Sequence, residues 1–395
     1  MAYAVYFTQV VAAGSRHASL LWGGAISVSM VVSGAVSPLL GAMADHTASK
    51  KRWLLIFTVL CIVPTALLYL VGPGDVVAGT LLFVIANIGF AAGNGFYNGF
   101  LSELSSEDDV GRLSGYGYAL GYAGGLIALL LCLPLLSGGF GPGHDATFRA
   151  SFLVTALFFA VFAVPLFLWM RERAVPAPRP RGVSLVRVGY VRLRETFRHV
   201  RRLRELFKFL GAFLVYNDGI ETVIYFSSIY AVSVLGFSML ETVYLFMAVQ
   251  VTALAGSLLF GFVTDRIGAK PTIVLTLVLW CAVVAAAFFA QTKGQFWAVA
   301  LVAGLGLGSN QAASRGLMRL FVPAGRDAEF YGFFSIMGKF SSLLGPLIYG
   351  LVAYLAASQR IAILSVLVFF AAGMLLLLTV DVARGREAAR GSGLS

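Results

Sequence analysis

Charged residues are scarce in this 395-residue sequence: Lys, Arg, Asp and Glu together make up 12%. Average soluble domains carry about 25%, so the composition argues against a soluble globular protein. Hydrophobic residues account for 59% of the chain, and they occur in long blocks. Such a pattern is typical of a membrane protein with several spans.

Cysteine and histidine are also rare. The three cysteines, Cys61, Cys132 and Cys281, are isolated within apolar blocks, which excludes a C-x-x-C zinc site or a disulfide framework. We expect each of them to be a small buried apolar residue. The four histidines have no metal-ligand spacing and are assigned to loops or to the central connector: His17, His46, His144 and His199. No metal site is predicted.

Catalytic motifs are missing as well. The stretch GFFSIMGKF at 332–340 resembles a phosphate-binding loop, but it has five residues between its glycines and Phe340 in place of Ser or Thr. No nucleophile lies beside a base, and no ATP site is present. We therefore predict neither an enzyme nor a bound cofactor, and any energy source must be a gradient.

Twelve apolar blocks are present instead. Most of them reach the ~20 residues that cross ~30 Å of hydrocarbon, and the first is short. They cover residues 2–13, 20–43, 53–71, 76–98, 116–137, 150–170, 208–234, 240–263, 271–291, 295–314, 333–355 and 360–381.

The basic residues are distributed unevenly between the loops. With both termini on one side, 24 of the 29 Lys and Arg fall in the loops and tail of that side, and four fall on the other: Arg16, Arg149, Lys293 and Arg360. The positive-inside rule makes the rich side cytoplasmic. This accounts for the net charge of +11 without nucleic acid. We predict a multi-pass protein of a prokaryotic cytoplasmic membrane, with both termini cytoplasmic.

The chain repeats itself. Residues 41–50 read GAMADHTASK and residues 261–270 read GFVTDRIGAK, each with Gly, Asp four later and Lys five after that. A parallel repeat of six spans predicts two facing bundles. The domains are then 1–170 and 208–382, with a connector at 171–207 and a tail at 383–395.

The connector is basic and begins with several prolines. After them, apolar residues recur at helical spacing among arginines: Leu193, Phe197, Val200, Leu203 and Phe207. Such a helix suits the anionic inner leaflet of a membrane. A plain solvated connector is the alternative, and nucleic-acid binding is disfavoured because membrane spans adjoin the segment.

Ionisable residues interrupt two of the spans. YNDGIETVIYF at 216–226 contains Asp218 and Glu221, which share one helix face, and Lys339 lies at a similar depth. A charge there costs at least ~2.5–3.5 kcal/mol. One interpretation is a buried Asp218–Lys339 pair. Another is a coupling or substrate site with Tyr216 and Asn217, in which one carboxylate pairs with Lys339 and the other carries a proton, or Lys339 binds a substrate carboxylate. A third is that the charges face a wet cavity.

Two further groups of polar residues are candidates. The fourth and tenth spans carry Asn94, Tyr97, Asn98, Asn310, Gln311 and Arg315, which either line a central cavity or bond helix to helix. The repeated loop motif supplies Gly41, Asp45, Lys50, Gly261, Asp265, Arg266 and Lys270. Its carboxylates can cap a helix or pair with a base while the cytoplasmic side is closed, or the motif is a plain turn.

The stretch GFVTDRIGAKP resembles the loop motif of the major facilitator superfamily, and the first-half copy departs from it at His46 and Ala48. Residues 97–125, 215–223 and 328–346 resemble the vacuole effluxer family within that superfamily, known from fungal vacuolar amino-acid exporters and from bacterial members. The resemblance implies an all-α major facilitator fold and a small-molecule exporter, with amino acids as candidates.

The resulting prediction is a secondary transporter that works by alternating access. Its predicted partners are a small-molecule substrate, protons and the lipid bilayer, and a monomer is expected. The alternative is a membrane receptor or scaffold that kept the fold, in which apolar side chains would plug the cavity.

Overall fold

The computed structural model of the chain describes residues 2–13, 18–136, 144–174, 176, 184–198, 203–342 and 344–391. This part of the chain is helical, without a strand. The helices are α1 (Ala2–Tyr6, continued by a π-helical turn, Phe7–Val11), α2 (Ala18–Thr47), α3 (Lys50–Leu67), α4 (Val76–Gly99), α5 (Leu101–Leu104), α6 (Val110–Leu136), α7 (Asp145–Trp169), α8 (Leu185–Arg198), α9 (Arg204–Leu235), α10 (Met239–Ile267), α11 (Ala269–Phe289), α12 (Lys293–Phe321), α13 (Asp327–Phe340), α14 (Leu344–Ala356), α15 (Gln359–Leu364), α16 (Val366–Leu378) and α17 (Val382–Arg390).

The helices fall on the apolar blocks of the sequence. Within the described residues, ten helical stretches are long and apolar enough to cross a membrane. Helix α9 has 32 residues, about 48 Å, and the two carboxylates in its middle make it less apolar. Helix α1 and its π-helical turn rise only about 15 Å, so the first block is short, as predicted.

The eleventh block differs from its prediction. The sequence suggests one helix over 333–355 with a bend at Gly345–Pro346, whereas the structure has α13 ending at Phe340 and α14 beginning at Leu344. The interruption therefore precedes the proline. A lesser change occurs in the last block, where Ser365 separates α15 from α16.

The connector helix begins earlier than predicted. Ser184 caps it by accepting the N–H of Arg187 at 3.3 Å, so α8 starts at Leu185. Leu203 instead immediately precedes α9, and Phe207 lies inside α9, which corrects the predicted run. Val200, like 177–183 and 201–202, lies outside the described residues.

One histidine assignment was wrong. His46 lies inside α2 and is buried, because α2 continues through Thr47, four residues past the predicted end of its span. His144 directly precedes α7, as expected for a loop residue. His17 and His199 lie outside the described residues.

The chain forms two compact units. The first comprises Met1–Glu103, Ile127–Arg194 and Gly325–Ile336, and the second comprises Leu104–Leu126, Glu195–Ala324 and Met337–Ser395. Each unit thus includes a segment from the opposite half of the sequence. The division of the sequence into two six-span domains stays a prediction.

The first unit contains an aromatic core that fixes the short first helix. Tyr6 donates its hydroxyl to the carbonyl of Val71 at 3.1 Å and stacks on Phe148 with ring centroids 5.5 Å apart. Packing therefore fixes this helix in place despite its length. The same cluster includes Tyr3, Phe7, Trp22, Phe83 and Phe152.

The second unit contains a close crossing of α10 and α12. A Cβ added at Gly308 would overlap the carbonyl oxygen of Ala253, and one added at Gly256 would overlap that of Leu305. Small residues allow two helix backbones to approach each other in a membrane. These glycines are therefore required by packing.

Helix α17 closes one end of the second unit. Asp381 caps it by accepting the N–H of Arg384 at 3.0 Å, and the side chain of Phe321 packs against its Gly385. Arg386 and Arg390 both pair with Glu107, Arg390 at 2.5 Å. The helix thereby joins the loop before α6 to the C-terminal helices.

The α10–α12 crossing gives a test of the packing. Gly308→Ala places a methyl group against backbone and should destabilise the protein by about 1–3 kcal/mol, seen as a lower midpoint of thermal unfolding in detergent. The matched control is Gly316→Ala on the same helix, where an added Cβ meets nothing within 4 Å. Equal midpoints for the two variants would contradict the packing argument.

Candidate functional site

The first copy of the loop motif caps α13. The Asp45 carboxylate accepts the backbone N–H groups of Ala328 and Glu329, each at 3.0 Å. Gly41, one turn earlier on α2, lies so close that an added Cβ would be 2.5 Å from the carbonyl carbon of Ala328. Glycine and aspartate four apart on one helix face thus produce one interaction, which we call the first cap.

The second copy does the same to α6. The Asp265 carboxylate accepts the backbone N–H groups of Gly111 at 2.7 Å and Arg112 at 3.1 Å, and also the Arg112 Nε at 2.9 Å. A Cβ on Gly261 would be 3.0 Å from the Gly111 carbonyl oxygen. This is the second cap, and it repeats the geometry of the first. In both caps, a carboxylate from one half of the sequence satisfies the start of a helix from the other half.

The lysines of the two copies differ. Lys50 is buried and its Nζ lies 2.5 Å from Glu103, 3.3 Å from Asp327 and 3.9 Å from Asp45. The first cap is therefore part of an ionic cluster with one cation among three carboxylates.

Lys270 instead donates to the main-chain carbonyls of Leu378 and Val380 at 2.9 and 2.7 Å. Because Leu378 is the last residue of α16 and Val380 follows two residues later, Lys270 stabilises the C-terminus of a helix of its own half. Arg266 is exposed. The second cap thus relies on Asp265 and Arg112.

The carboxylates of α9 have different surroundings. Asp218 is only 3% exposed, and its two oxygens accept the N–H groups of Leu344 at 3.1 Å and Gly345 at 2.9 Å. Its neighbour Asn217 is also buried and donates to the Ser341 hydroxyl at 2.5 Å. Both oxygens of Asp218 therefore bind the start of α14, an interaction that the sequence did not predict. The pairing of Asp218 with Lys339 stays a prediction.

Glu221 lies one turn beyond Asp218 and is half-buried. It interacts electrostatically with Lys339, which is also half-buried, and with Tyr122 and Tyr225. Counted from the starts of α9 and α13, Glu221 and Lys339 lie about 26 and 18 Å along their helices. An acid, a base and phenols therefore lie within electrostatic range of one another, far from the starts of α9 and α13.

The polar residues of α12 form two groups. Asn310 donates to Thr276 at 2.9 Å and accepts from Ser314, which in turn bonds Tyr216 at 2.7 Å. This buried chain joins three helices of the C-terminal half, as the helix-to-helix interpretation expects.

The other α12 residues contact α6. Gln311 accepts the Tyr122 hydroxyl at 2.6 Å. Arg315 is buried, donates to the Ser114 hydroxyl and carbonyl at 3.0 and 2.7 Å, and has its guanidinium 4.5 Å from the centre of the Tyr118 ring. Tyr122, which donates to Gln311, also interacts electrostatically with Glu221. We call these side chains of α6 and α12 the α6–α12 cluster.

The corresponding residues of α4 lie in the first unit. Asn94 and Asn98 are half-buried, and Tyr97 is 40% exposed. Their cavity-lining role stays a prediction.

Sequence reasoning missed the face of α6. Ser114, Tyr118 and Tyr122 recur every four residues, which places all three on one side of a helix. Two of them contact Arg315 and the third contacts Gln311. The four-residue spacing is present in the sequence, but the glycines among the tyrosines suggested a helix-packing face and not a polar one.

Solved structures identify the fold. The Escherichia coli fucose:proton symporter FucP matches with a TM-score of 0.72 and 14% identity over 91% of this chain and 90% of that one. The proton:xylose symporter XylE also gives 0.72, with 16% identity over 100% and 93%. The chain therefore has the fold of the major facilitator superfamily transporters.

Sequence comparison identifies the family. The profile described as "Vacuole effluxer Atg22 like" matches residues 17–110 and 103–390, and the chain belongs to that family. The MFS-type transporter YxiO of Bacillus subtilis (strain 168) is 28% identical over 90% of this chain and 83% of its own length. Autophagy-related protein 22 of Yarrowia lipolytica is 24% identical over 92% and 76%. The protein is thus a multi-pass membrane protein of a transporter family. The choice between transport and the receptor alternative stays a prediction.

The ionic cluster of Lys50 makes a prediction about stability. Lys50→Met leaves buried carboxylates without their shared cation, which should destabilise the protein by about 3–5 kcal/mol. Lys51→Met is the matched control, because Lys51 is half-buried and donates to the Met170 carbonyl. Thermal unfolding in detergent should show a clearly larger loss for Lys50→Met, and similar losses would mean that the cluster contributes little.

Proposed function

We propose that the protein exports a small metabolite by alternating access, coupled to protons, with amino acids as the substrate class to test first. The observation that carries the proposal is the electrostatic interaction between Glu221 and Lys339, an acid and a base that are both half-buried and far from the starts of their helices. Burying both charges costs free energy. A purely structural ion pair would offset little of that cost, so a functional role is favoured.

The opposite charges suit a zwitterion. An α-amino acid could place its ammonium on Glu221 and its carboxylate on Lys339, with Tyr122 and Gln311 as neutral hydrogen-bonding groups beside them. The names of the relatives support export, since the family is described as vacuole effluxers. The direction and the substrate class are therefore inferred from the site and the family together.

Glu221 is the better proton carrier of the two carboxylates. Both oxygens of Asp218 accept backbone N–H groups, and its side chain is sealed from solvent. Glu221 is half-buried and faces a cation and two phenols. When the substrate leaves, Glu221 can take up a proton on the outer side and release it on the inner side, so that one proton enters for each substrate molecule exported. FucP and XylE, which share the fold, are named as proton symporters.

The two caps serve as the cytoplasmic gate in this proposal. Asp45 and Asp265 each hold a helix from the opposite half of the sequence. If the halves part on the cytoplasmic side, both caps must break and their N–H groups must find water. The caps thus favour the state that is closed on that side.

The membrane setting follows from the basic residues. We place both termini and the basic connector on the cytoplasmic side of a prokaryotic inner membrane. Helix α8 exposes Val186, Tyr190 and Val191 among arginines, a combination that suits contact with anionic lipids. The transporter works as a monomer in this proposal.

Proton coupling is tested in proteoliposomes containing the purified protein. A panel of radiolabelled amino acids is screened for transport driven by a pH gradient. Glu221→Gln should reduce gradient-driven accumulation to the level seen without a gradient. Exchange of labelled for unlabelled substrate needs no net proton movement, so it should persist, at higher substrate concentrations because the substrate ammonium has lost its carboxylate partner.

The control for this experiment is Tyr190→Ala on α8, remote from the site in sequence, which should leave both modes of transport intact. Gradient-driven accumulation at the wild-type level in Glu221→Gln would remove the proton role of Glu221. Failure of every amino acid on the panel would direct the search to other zwitterions.

The gate is tested separately. Asp265→Asn keeps one acceptor but loses the charge, so the second cap should weaken by about 1 kcal/mol, or about fivefold in an equilibrium, and turnover should slow. Asp381→Asn is the matched control, because it weakens a cap within one helix. Unaltered turnover in Asp265→Asn, or equal slowing in the control, would exclude the gate.

A further inference from the structure

The transmembrane helix that carries Lys339 is interrupted beside that residue. Helix α13 ends at Phe340, one residue after Lys339, and α14 starts at Leu344. On the near side of the break, Ser341 N–H donates to Met337 and the Ser342 hydroxyl donates to the Lys339 carbonyl at 3.0 Å. The carbonyls of Met337 and Lys339, in the last turn of α13, are thus satisfied by neighbouring residues.

Two consecutive residues of α9 hold both edges of this break. Asn217 donates to Ser341 at 2.5 Å, on the α13 side. Asp218 accepts from Leu344 and Gly345 at 3.1 and 2.9 Å, on the α14 side. The approach is close enough that a Cβ on Gly345 would be 2.7 Å from Asp218 Oδ1.

The chemistry of the break requires such partners. The first N–H groups of a helix have no acceptor within the helix, and an unsatisfied backbone group in hydrocarbon costs several kcal/mol. Because Asp218 and Gly345 are buried, the acceptor at this helix start must come from the protein. A carboxylate supplies two oxygens and a negative charge at the positive end of α14.

We propose that Asn217 and Asp218 are positioning residues that hold the break open and thereby fix Lys339 relative to Glu221. Asp218 and Glu221 are three residues apart on α9, so one helix carries both the clamp and the acid. Removing the clamp frees Ser341 and Leu344 at the two edges of the break and changes where Lys339 lies. Asp218 is then required for transport without carrying the proton.

The clamp can be tested without a substrate. Hydrogen–deuterium exchange of the full-length protein in detergent reports the amides of the peptide 341–350. Asp218→Ala removes their acceptor, so exchange at the start of α14 should accelerate about tenfold. Asp218→Asn, which keeps one acceptor, should restore part of the protection. Glu221→Gln removes a carboxylate one turn further along α9 and should leave the exchange of this peptide unchanged.

A second readout follows Lys339 itself. Acetic anhydride labels accessible lysines, and the extent of labelling of Lys339 is read by mass spectrometry. In Asp218→Ala this labelling should change several-fold, whereas that of Lys293, outside the clamp, should not. If Asp218→Ala does not fold, Asn217→Ala removes only the side-chain hydrogen bond to Ser341 and should raise exchange by a smaller factor.

The outcomes separate this inference from the proposed function. Wild-type exchange and labelling in every clamp variant would overturn it, whatever the transport assays show. So would an Asp218→Asn variant whose transport keeps its maximal rate but loses its pH dependence, because Asp218 would then be the proton carrier. Support requires faster exchange together with a lower maximal rate and an unshifted pH profile.

Discussion

The structure depends on carboxylates that cap the starts of other helices. Asp45, Asp218 and Asp265 each accept two consecutive backbone N–H groups, and none of the three belongs to the helix that it caps. By contrast, α10 and α12 begin with their own capping boxes at Ser238 and Thr292. A helix with its own cap is complete by itself, whereas one with a borrowed cap is stable only where its partner lies.

The helices with borrowed caps lie at the positions that matter for the proposed function. The two borrowed caps formed by the repeated loop motif lie where segments of opposite halves meet, and the third holds an interruption beside Lys339. Glu221, although only three residues from Asp218, accepts no backbone N–H among the described residues and instead interacts electrostatically with Lys339, Tyr122 and Tyr225. Two carboxylates on one helix therefore have different tasks because one meets the end of a helix and the other meets side chains.

Much of the fold could be predicted from the sequence because hydrocarbon thickness and helix rise constrain the length of each apolar block. The repeat at 41–50 and 261–270 likewise revealed the motif, though not its partners. Asp45 and the helix that it caps are 283 residues apart, and Asp218 and Leu344 are 126 apart, so no local pattern connects them. The interruption at 341–342 was not predicted because its stabilising partner, Asp218, is also distant in sequence. Asp218 accepts the N–H groups that the interruption leaves unpaired, and the residues around 341–342 carry no signal of it. The tyrosines of α6 were missed because they lie in an apolar, glycine-rich run.

The short helix α17 has a consequence for how the molecule responds to its surroundings. Arg386 and Arg390 both reach Glu107, and the Arg390 side chain is 71% exposed. Attraction between exposed charges is screened within about 8 Å at physiological ionic strength, whereas the buried first cap is shielded from dissolved ions. Salt in the compartment on the α17 side therefore weakens the pairing of Arg386 and Arg390 with Glu107, whereas the buried first cap is unaffected. Potassium chloride added on one side of a vesicle therefore weakens this ion pairing only when α17 lies on that side. A charged tag fused after α17 changes the same electrostatic attraction.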